Sequence, residues 1–247
     1  MAACFRTLGE KLCSSSPPHE VRQQLVSEVW KVVARWHDLE SYLFVADVYI
    51  EYCLVHLGAT ELDTLLRDVH AHLANKPRLG EAAQGYLEAL VFRVLERNAQ
   101  LADLMGMAHF ISILDAFHGD RRVAVAERLL RAVCQSHSPH TIQDPVVLHF
   151  VFEQACTAHD ALDSMSADSE RRATAALISK FVLKADFGRD FEGHLNFLVE
   201  CRRAFSRMEA VQATLVHTTN HLAMRTLKRA KGKPNRRIVA FVKVRIH

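Results

Sequence analysis

DPVVLHFVFEQACTAHDALDSM, from Asp144 to Met165, sets the reading of the chain. Asp144 offers a side-chain acceptor to the N–H groups that open a helix, and Pro145 brings a φ suited to the first helical position. Val147, Val151, Ala155 and Leu162 then recur at spacings that put them on one helix face. A helix of roughly four turns is marginal alone in water, so this apolar face predicts a neighbour that covers it.

The same period extends in both directions. Upstream, Val21, Leu25, Val29, Val32 and Trp36 form a stripe opened by Pro18, and Leu43, Ala46, Ile50, Cys53 and Leu57 form one stopped by Gly58. Thr60 with Asp63 is a weak capping box ahead of Leu62, Leu65, Leu66, Val69 and Leu73. Three more stripes follow: Leu87, Leu90, Val91, Val94 and Leu95; Leu101, Leu104, Ala108, Ile111 and Leu114, ended by Gly119; and Val123, Ala126, Leu130 and Val133. Downstream come Leu177, Phe181 and Ala185, broken near Gly188, then Phe191, Leu195, Leu198 and Phe205, then Val211, Leu215 and Leu222.

About ten helices in sequence, at roughly 40 to 50 residues per pair, match the HEAT or armadillo period. The expected fold is therefore all-α, an α-solenoid of stacked helix pairs over residues 1–231, with a compact bundle as the alternative. A basic Gly/Pro loop is expected at 232–237, and the start of a further helix at 238–247, where the alternating end could also be read as a strand.

Composition agrees. Of 247 residues 49% are hydrophobic, enough for a large core, while only 9 are Gly and 6 are Pro, too few for a many-turned sheet protein. No apolar run has the length of a signal peptide or a membrane span, so the chain reads as cytosolic and soluble. Its six cysteines are scattered without a CxxC pair, which suits reduced, apolar thiols.

The net charge of +3 conceals two unlike parts. All 28 acids lie at or before Glu209, whereas the stretch from Arg225 to His247 holds bases and no acid. Arg225, Lys228, Arg229, Lys231, Lys233, Arg236 and Arg237 form the dense part of this run. It could complement the C-terminal end of a helix, or meet an acidic protein or lipid surface at about 1 kcal/mol per basic residue. A nucleic-acid surface fits less well, because no aromatic is interleaved for base stacking.

Signs of catalysis are weak. GxSxG, GxGxxG and a phosphate-cradling glycine loop are all absent from the sequence, and no small-molecule substrate or cofactor is expected. His217 and His221 have the i, i+4 spacing of two metal ligands but lack an evident third, so surface or groove histidines are expected and no metal. Asp190 and Glu192 open a helix, where negative charge suits the dipole. Arg189, Asp190, Glu192, Glu200 and Arg203 are expected to form a structural polar network between stacked helices, with Glu200 and Arg203 paired at i, i+3.

FGRDFEGHLNFLVECRRAF (Phe187–Phe205) and the run Met208–Val242 resemble the vacuolar protein sorting 35-like family. Val26–Cys53, the run from Asp144, and ISKFVLKADFGRDFE from Ile178 resemble it too. The resemblance implies a non-enzymatic scaffold: the large helical subunit of the endosomal Retriever assembly. That subunit works with arrestin-like and metallophosphoesterase-fold partners and with the coiled-coil and COMM-domain proteins of Commander. It implies association with endosomes through those partners, recycling of membrane cargo to the plasma membrane, and no nucleic-acid ligand. The chain would be a middle-to-late section of such a protein, with an apolar helix face unpartnered at each end. The rival expectation is a generic HEAT-type adaptor that binds an acidic partner or nucleic acid through residues 225–237.

Overall fold

A computed structural model describes residues 24, 28, 31, 38–44, 46, 47, 69, 71, 73, 79–97, 108, 111–160 and 167–229. Among them every regular element is helical, so the fold is all-α. No helix among the described residues is long and apolar enough to cross a membrane. The expected loop at 232–237 and the segment 238–247 lie outside the described residues, as does the stripe through Trp36. Of the stripes through Leu57 and Leu104, Leu43, Ala46 and Leu114 are described and buried, while Ala108 and Ile111 are half-buried.

The chain forms two compact units, Met1–Ser136 and His137–His247. The first contains α1 (Glu81–Arg97), a 3-10 turn (Leu114–Ala116) and α2 (Gly119–Ser136). Leu87, Leu90, Val91 and Val94 on α1 are fully buried, as their spacing predicts, and α1 packs on α2. On α2 the buried set is Val125, Ala126, Leu129, Leu130, Val133 and Cys134. The stripe expected on α2 is buried at Ala126, Leu130 and Val133, but its first member, Val123, is 59% exposed. Two residues along a helix is a rotation of roughly 200°, so Val123 and Val125 cannot share a buried face.

Gln84 ties the first unit together from within. Its Nε2 donates to the Leu79 carbonyl at 3.1 Å, and its Oε1 accepts from the His118 backbone N–H at 3.2 Å. One buried amide thereby fixes the entry to α1 and the entry to α2. Gly119, with φ of 54°, turns the chain into α2. The preceding helix ends earlier than this glycine, tightening into the 3-10 turn. Arg121 meets Glu88 at 2.6 Å, and Arg128 lies 5.4 Å from the Phe92 ring centre. Partly exposed pairs of this kind contribute about 0–1 kcal/mol, so the apolar seam holds the pair of helices.

The second unit contains a 3-10 turn (Pro139–Thr141), α3 (Pro145–Asp160), α4 (Ala167–Leu183), α5 (Phe191–Ala204) and α6 (Glu209–Arg229). Asp144 caps α3 as expected, its Oδ1 accepting from Val146 N–H at 2.8 Å. Helix α4 packs on α3 and on α6, while α5 packs on α6 and on α3. Alternate helices therefore share a layer, α3 with α5 and α4 with α6. This is how consecutive helix pairs stack in an α-solenoid. The layers bury Val147, Val151 and Ala155 of α3, Ile178 and Phe181 of α4, Phe197, Leu198 and Cys201 of α5, and Val211 and Leu215 of α6. On α5 the buried face includes His194 and Phe197, whereas Phe191 and Leu195 are half-buried.

Candidate functional site

The joint between α4 and α5 spans only residues 184–190, and it is polar. Gly188 adopts φ of 58°, a left-handed conformation that costs glycine nothing. Asp186 Oδ1 accepts from the Gly188 N–H at 3.1 Å, which folds the carboxylate back over the turn. The Asp186 backbone N–H donates to His140 Nδ1 at 3.1 Å, linking the joint to the 3-10 turn before α3.

Phe187 inserts among aromatic rings, with its centroid 5.1 Å from His194, 5.7 Å from Phe197 and 6.0 Å from His140. Arg225 reaches over from α6. Its Nη2 donates to the Gly188 carbonyl at 3.0 Å, and its Nη1 and Nη2 lie 3.4 and 3.5 Å from Asp186 Oδ1.

Beside this clasp lies a cavity of about 320 Å³. Leu183, Ala185 and Leu222 give it apolar wall, while Asp186, His194, His217, Thr218, His221 and Arg225 give it polar lining. His217, His221 and Arg225 recur at i, i+4 and i+8 on α6, so one helix face delivers all three. His194 comes from α5 and is only 7% exposed, and its Nε2 has no hydrogen-bond partner. Burial pushes its imidazole below the usual range; the Arg225 charge pushes the same way, Asp186 opposes, and His140 adds a lesser push down. The Gly188 N–H, and after it the Arg225 charge, hold the Asp186 carboxyl below the ordinary carboxylate range.

A metal centre does not result. Although His194 and Asp186 join His217 and His221 around one cavity, no group of three or more His, Cys, Asp or Glu among the described residues could hold a metal ion. Cys201, on α5, is buried, burial drives its thiol far above the usual range, and it does not line this cavity. Thr218 donates its hydroxyl to the Thr214 carbonyl at 2.9 Å, an ordinary in-helix bond that leaves it unactivated.

Among the expected polar residues, Asp190, Glu200 and Arg203 do not form one group. Asp190 is the N-cap of α5, accepting from Gly193 N–H at 2.8 Å, and lies one residue before the helix rather than inside its first turn. A Cβ at Gly193 would collide with that carboxylate, which accounts for glycine there. Glu192 sits exposed on the first turn. Arg189, Glu200 and Arg203 are all exposed, and no ion pair joins Glu200 to Arg203 among the described residues. Exposed side chains of this length gain little from pairing and keep their rotamer freedom in water.

Of the basic run, Arg225 is a clasp residue with its side chain 33% exposed, and Lys228 is exposed one turn further on. The Arg229 side chain and Lys231, Lys233, Arg236 and Arg237 lie outside the described residues. Asp186 and His194 were missed as site residues by the sequence reading. The only available signal was their place within KADFGRDFEGH, where a glycine turn brings residues before and after it close together.

The chain is 33% identical over 240 residues to the mouse (Mus musculus) protein named VPS35 endosomal protein-sorting factor-like, covering 97% of this chain and 25% of the relative. A zebrafish (Danio rerio) protein of the same name is 32% identical with the same coverage. The Dictyostelium discoideum protein named VPS35 endosomal protein sorting factor-like is 31% identical, covering 97% of this chain and 24% of the relative. The chain thus spans about a quarter of the length of these relatives. With the family described as the VPS35L C-terminal domain matching residues 2–246, and with an all-α fold whose second unit stacks helices in two layers, the chain belongs to that family.

Proposed function

We propose that this chain is a scaffold segment of an endosomal protein-sorting factor, acting without catalysis as part of the large helical subunit of a Retriever-type assembly. The observation that carries the reading is the family match across residues 2–246, to relatives whose names state endosomal protein sorting. The two-layer stack supports it, because stacked helix pairs leave extended faces free for partner proteins. The pocket supports a non-enzymatic role: its hydroxyl is engaged within its own helix and its imidazoles face no activated nucleophile among the described residues.

On this reading a metallophosphoesterase-fold subunit docks on the helical faces as a protein ligand. The arrestin-like subunit and the coiled-coil and COMM-domain proteins of Commander complete the assembly on the cytoplasmic face of endosomes, where cargo is recycled to the plasma membrane. The generic-adaptor alternative rests on the run at 225–237, of which Arg225 bonds Asp186 and Gly188.

Calorimetry of the purified chain with the metallophosphoesterase-fold subunit tests the proposal, at low salt and at about 0.3 M salt, where exposed charges are screened. Micromolar or tighter binding that persists in salt is expected. Binding that salt abolishes, and that neutralising Lys231, Lys233, Arg236 and Arg237 also abolishes, would favour the adaptor reading.

A further inference from the structure

We propose that the cavity between α5 and α6 is a receptor for a carboxylate, presented by an acidic side chain of a partner peptide. Arg225 would serve as the charged anchor, with His217 and His221 as the polar wall. The cavity of about 320 Å³ lies at the lower end of the range for ligand pockets, large enough for one acidic side chain and its neighbours. Its polar lining is unequal: one carboxylate, Asp186, stands against one guanidinium, Arg225, and the three imidazoles of His194, His217 and His221. His140 adds a fourth imidazole behind the joint, and Lys228 a cation one turn beyond Arg225.

The clasp is built to yield. Arg225 holds Asp186 only at 3.4 and 3.5 Å, the long limit for such contacts, while its shorter bond at 3.0 Å goes to the Gly188 carbonyl. A guanidinium has five N–H donors, so an incoming carboxylate can take the long pair while the Gly188 bond keeps the side chain in place. Asp186 is not orphaned by the exchange, because it retains the Gly188 N–H at 3.1 Å and its side chain is 65% exposed to water. His194 gives independent support: a buried imidazole lining the cavity, with an Nε2 that has no hydrogen-bond partner among the described residues. Polar atoms buried this way normally have a partner, and a bound polar group is one way to supply it.

His217 and His221 are exposed on α6 and open to an incoming side chain, whereas burial holds the His194 imidazole below the usual range.

The test is fluorescence anisotropy of the intact chain with labelled tetraglutamate and tetraglutamine peptides, together with nitrogen-15 spectra of its histidine rings. Tetraglutamate is expected to bind at least about tenfold tighter than tetraglutamine. The ring signals of His217 and His221 should shift on binding. The double variant His217→Ala/His221→Ala should weaken tetraglutamate about tenfold with helical content unchanged, because both side chains are exposed. Arg225→Lys should weaken it as well, since an ammonium cannot reproduce the bidentate fork. If Arg225→Lys fails to fold, the histidine variant alone decides.

Equal binding of the two peptides, or binding of neither, overturns the assignment. So does tetraglutamate binding that survives in the histidine variant but is lost on Lys231→Gln/Lys233→Gln, which would place it on the basic run. A phosphorylated peptide shifting the same rings when tetraglutamate does not would replace the carboxylate by a phosphate.

Discussion

Two joints in the second unit do the same mechanical job with different chemistry. Between α5 and α6 the chain turns at residues 205–208, and the two ends of the turn are apolar and buried while Ser206 and Arg207 between them face water. Phe205 is 1% exposed, meets Phe152 of α3 edge-on at 5.2 Å, and is followed by Met208 at 3%. Gln212 of α6 closes the polar remainder, donating to the Arg202 and Phe205 carbonyls that α5 leaves open. Cys156 of α3 adds a thiol donor to the Ala204 carbonyl at 3.3 Å.

Between α4 and α5, by contrast, a glycine turn, a carboxylate, an arginine and two histidines share the closure, and a cavity remains beside it. An apolar joint is close-packed and has nothing left to offer a ligand. A polar joint keeps donors that can be re-partnered, so it can serve as a site.

Breaking each joint should show that difference. Phe205→Ala removes a fully buried ring and should cost about 3–5 kcal/mol, read from denaturant unfolding followed by far-ultraviolet circular dichroism. If it costs no more than disrupting the polar joint, the contrast between the two is wrong. Arg225→Met keeps much of the stem's packing and loses the clasp; because the guanidinium is part-exposed, the loss should be about 1 kcal/mol.

A pH series sharpens the comparison further. A histidine whose folded pKa is depressed takes up its proton in the unfolded state first, so His194 should contribute stability at neutral pH that is lost as pH falls below about 6.5. His194→Leu should flatten the change in melting temperature between neutral pH and pH of about 5.5, while variants of the apolar joint leave that change intact. Asp186 acts in a different window. Its depressed carboxyl keeps its contribution down to the ordinary carboxylate range and loses it only in stronger acid.

The smallest effect lies at the cap that closes the polar joint. Asp190→Ala should cost about 1 kcal/mol. Gly193→Ala should come out near zero, since the roughly 1 kcal/mol gained in helix propensity offsets the displaced cap. Thermal melts of the pair would separate the two, and a loss near zero for Asp190→Ala would mean that the Asp190 bond contributes little.

Sequence by itself determined the helices. Period and caps located α3 at Asp144–Pro145 and the buried faces of α1 and α6, because burial on one side of a helix forces apolar residues into a 3.6-residue repeat. It also carried the family, through FGRDFEGH and the segments around it. On α2 it found Ala126, Leu130 and Val133 of the buried face but added Val123, which fits the period and points away from the seam. It grouped Arg189, Asp190, Glu192, Glu200 and Arg203, of which Asp190 caps a helix and Glu200 and Arg203 are exposed. Charged residues at helical spacing look alike in sequence whether they meet a partner or water.

Only the tertiary structure decided the site. His217 and His221 could be paired from their spacing, but Asp186, His194 and Arg225 come from different elements, brought together when α5 and α6 pack and the Gly188 turn folds back. A periodic pattern records what a helix does to itself, whereas a pocket depends on the angles between helices, which are set by packing along the whole interface.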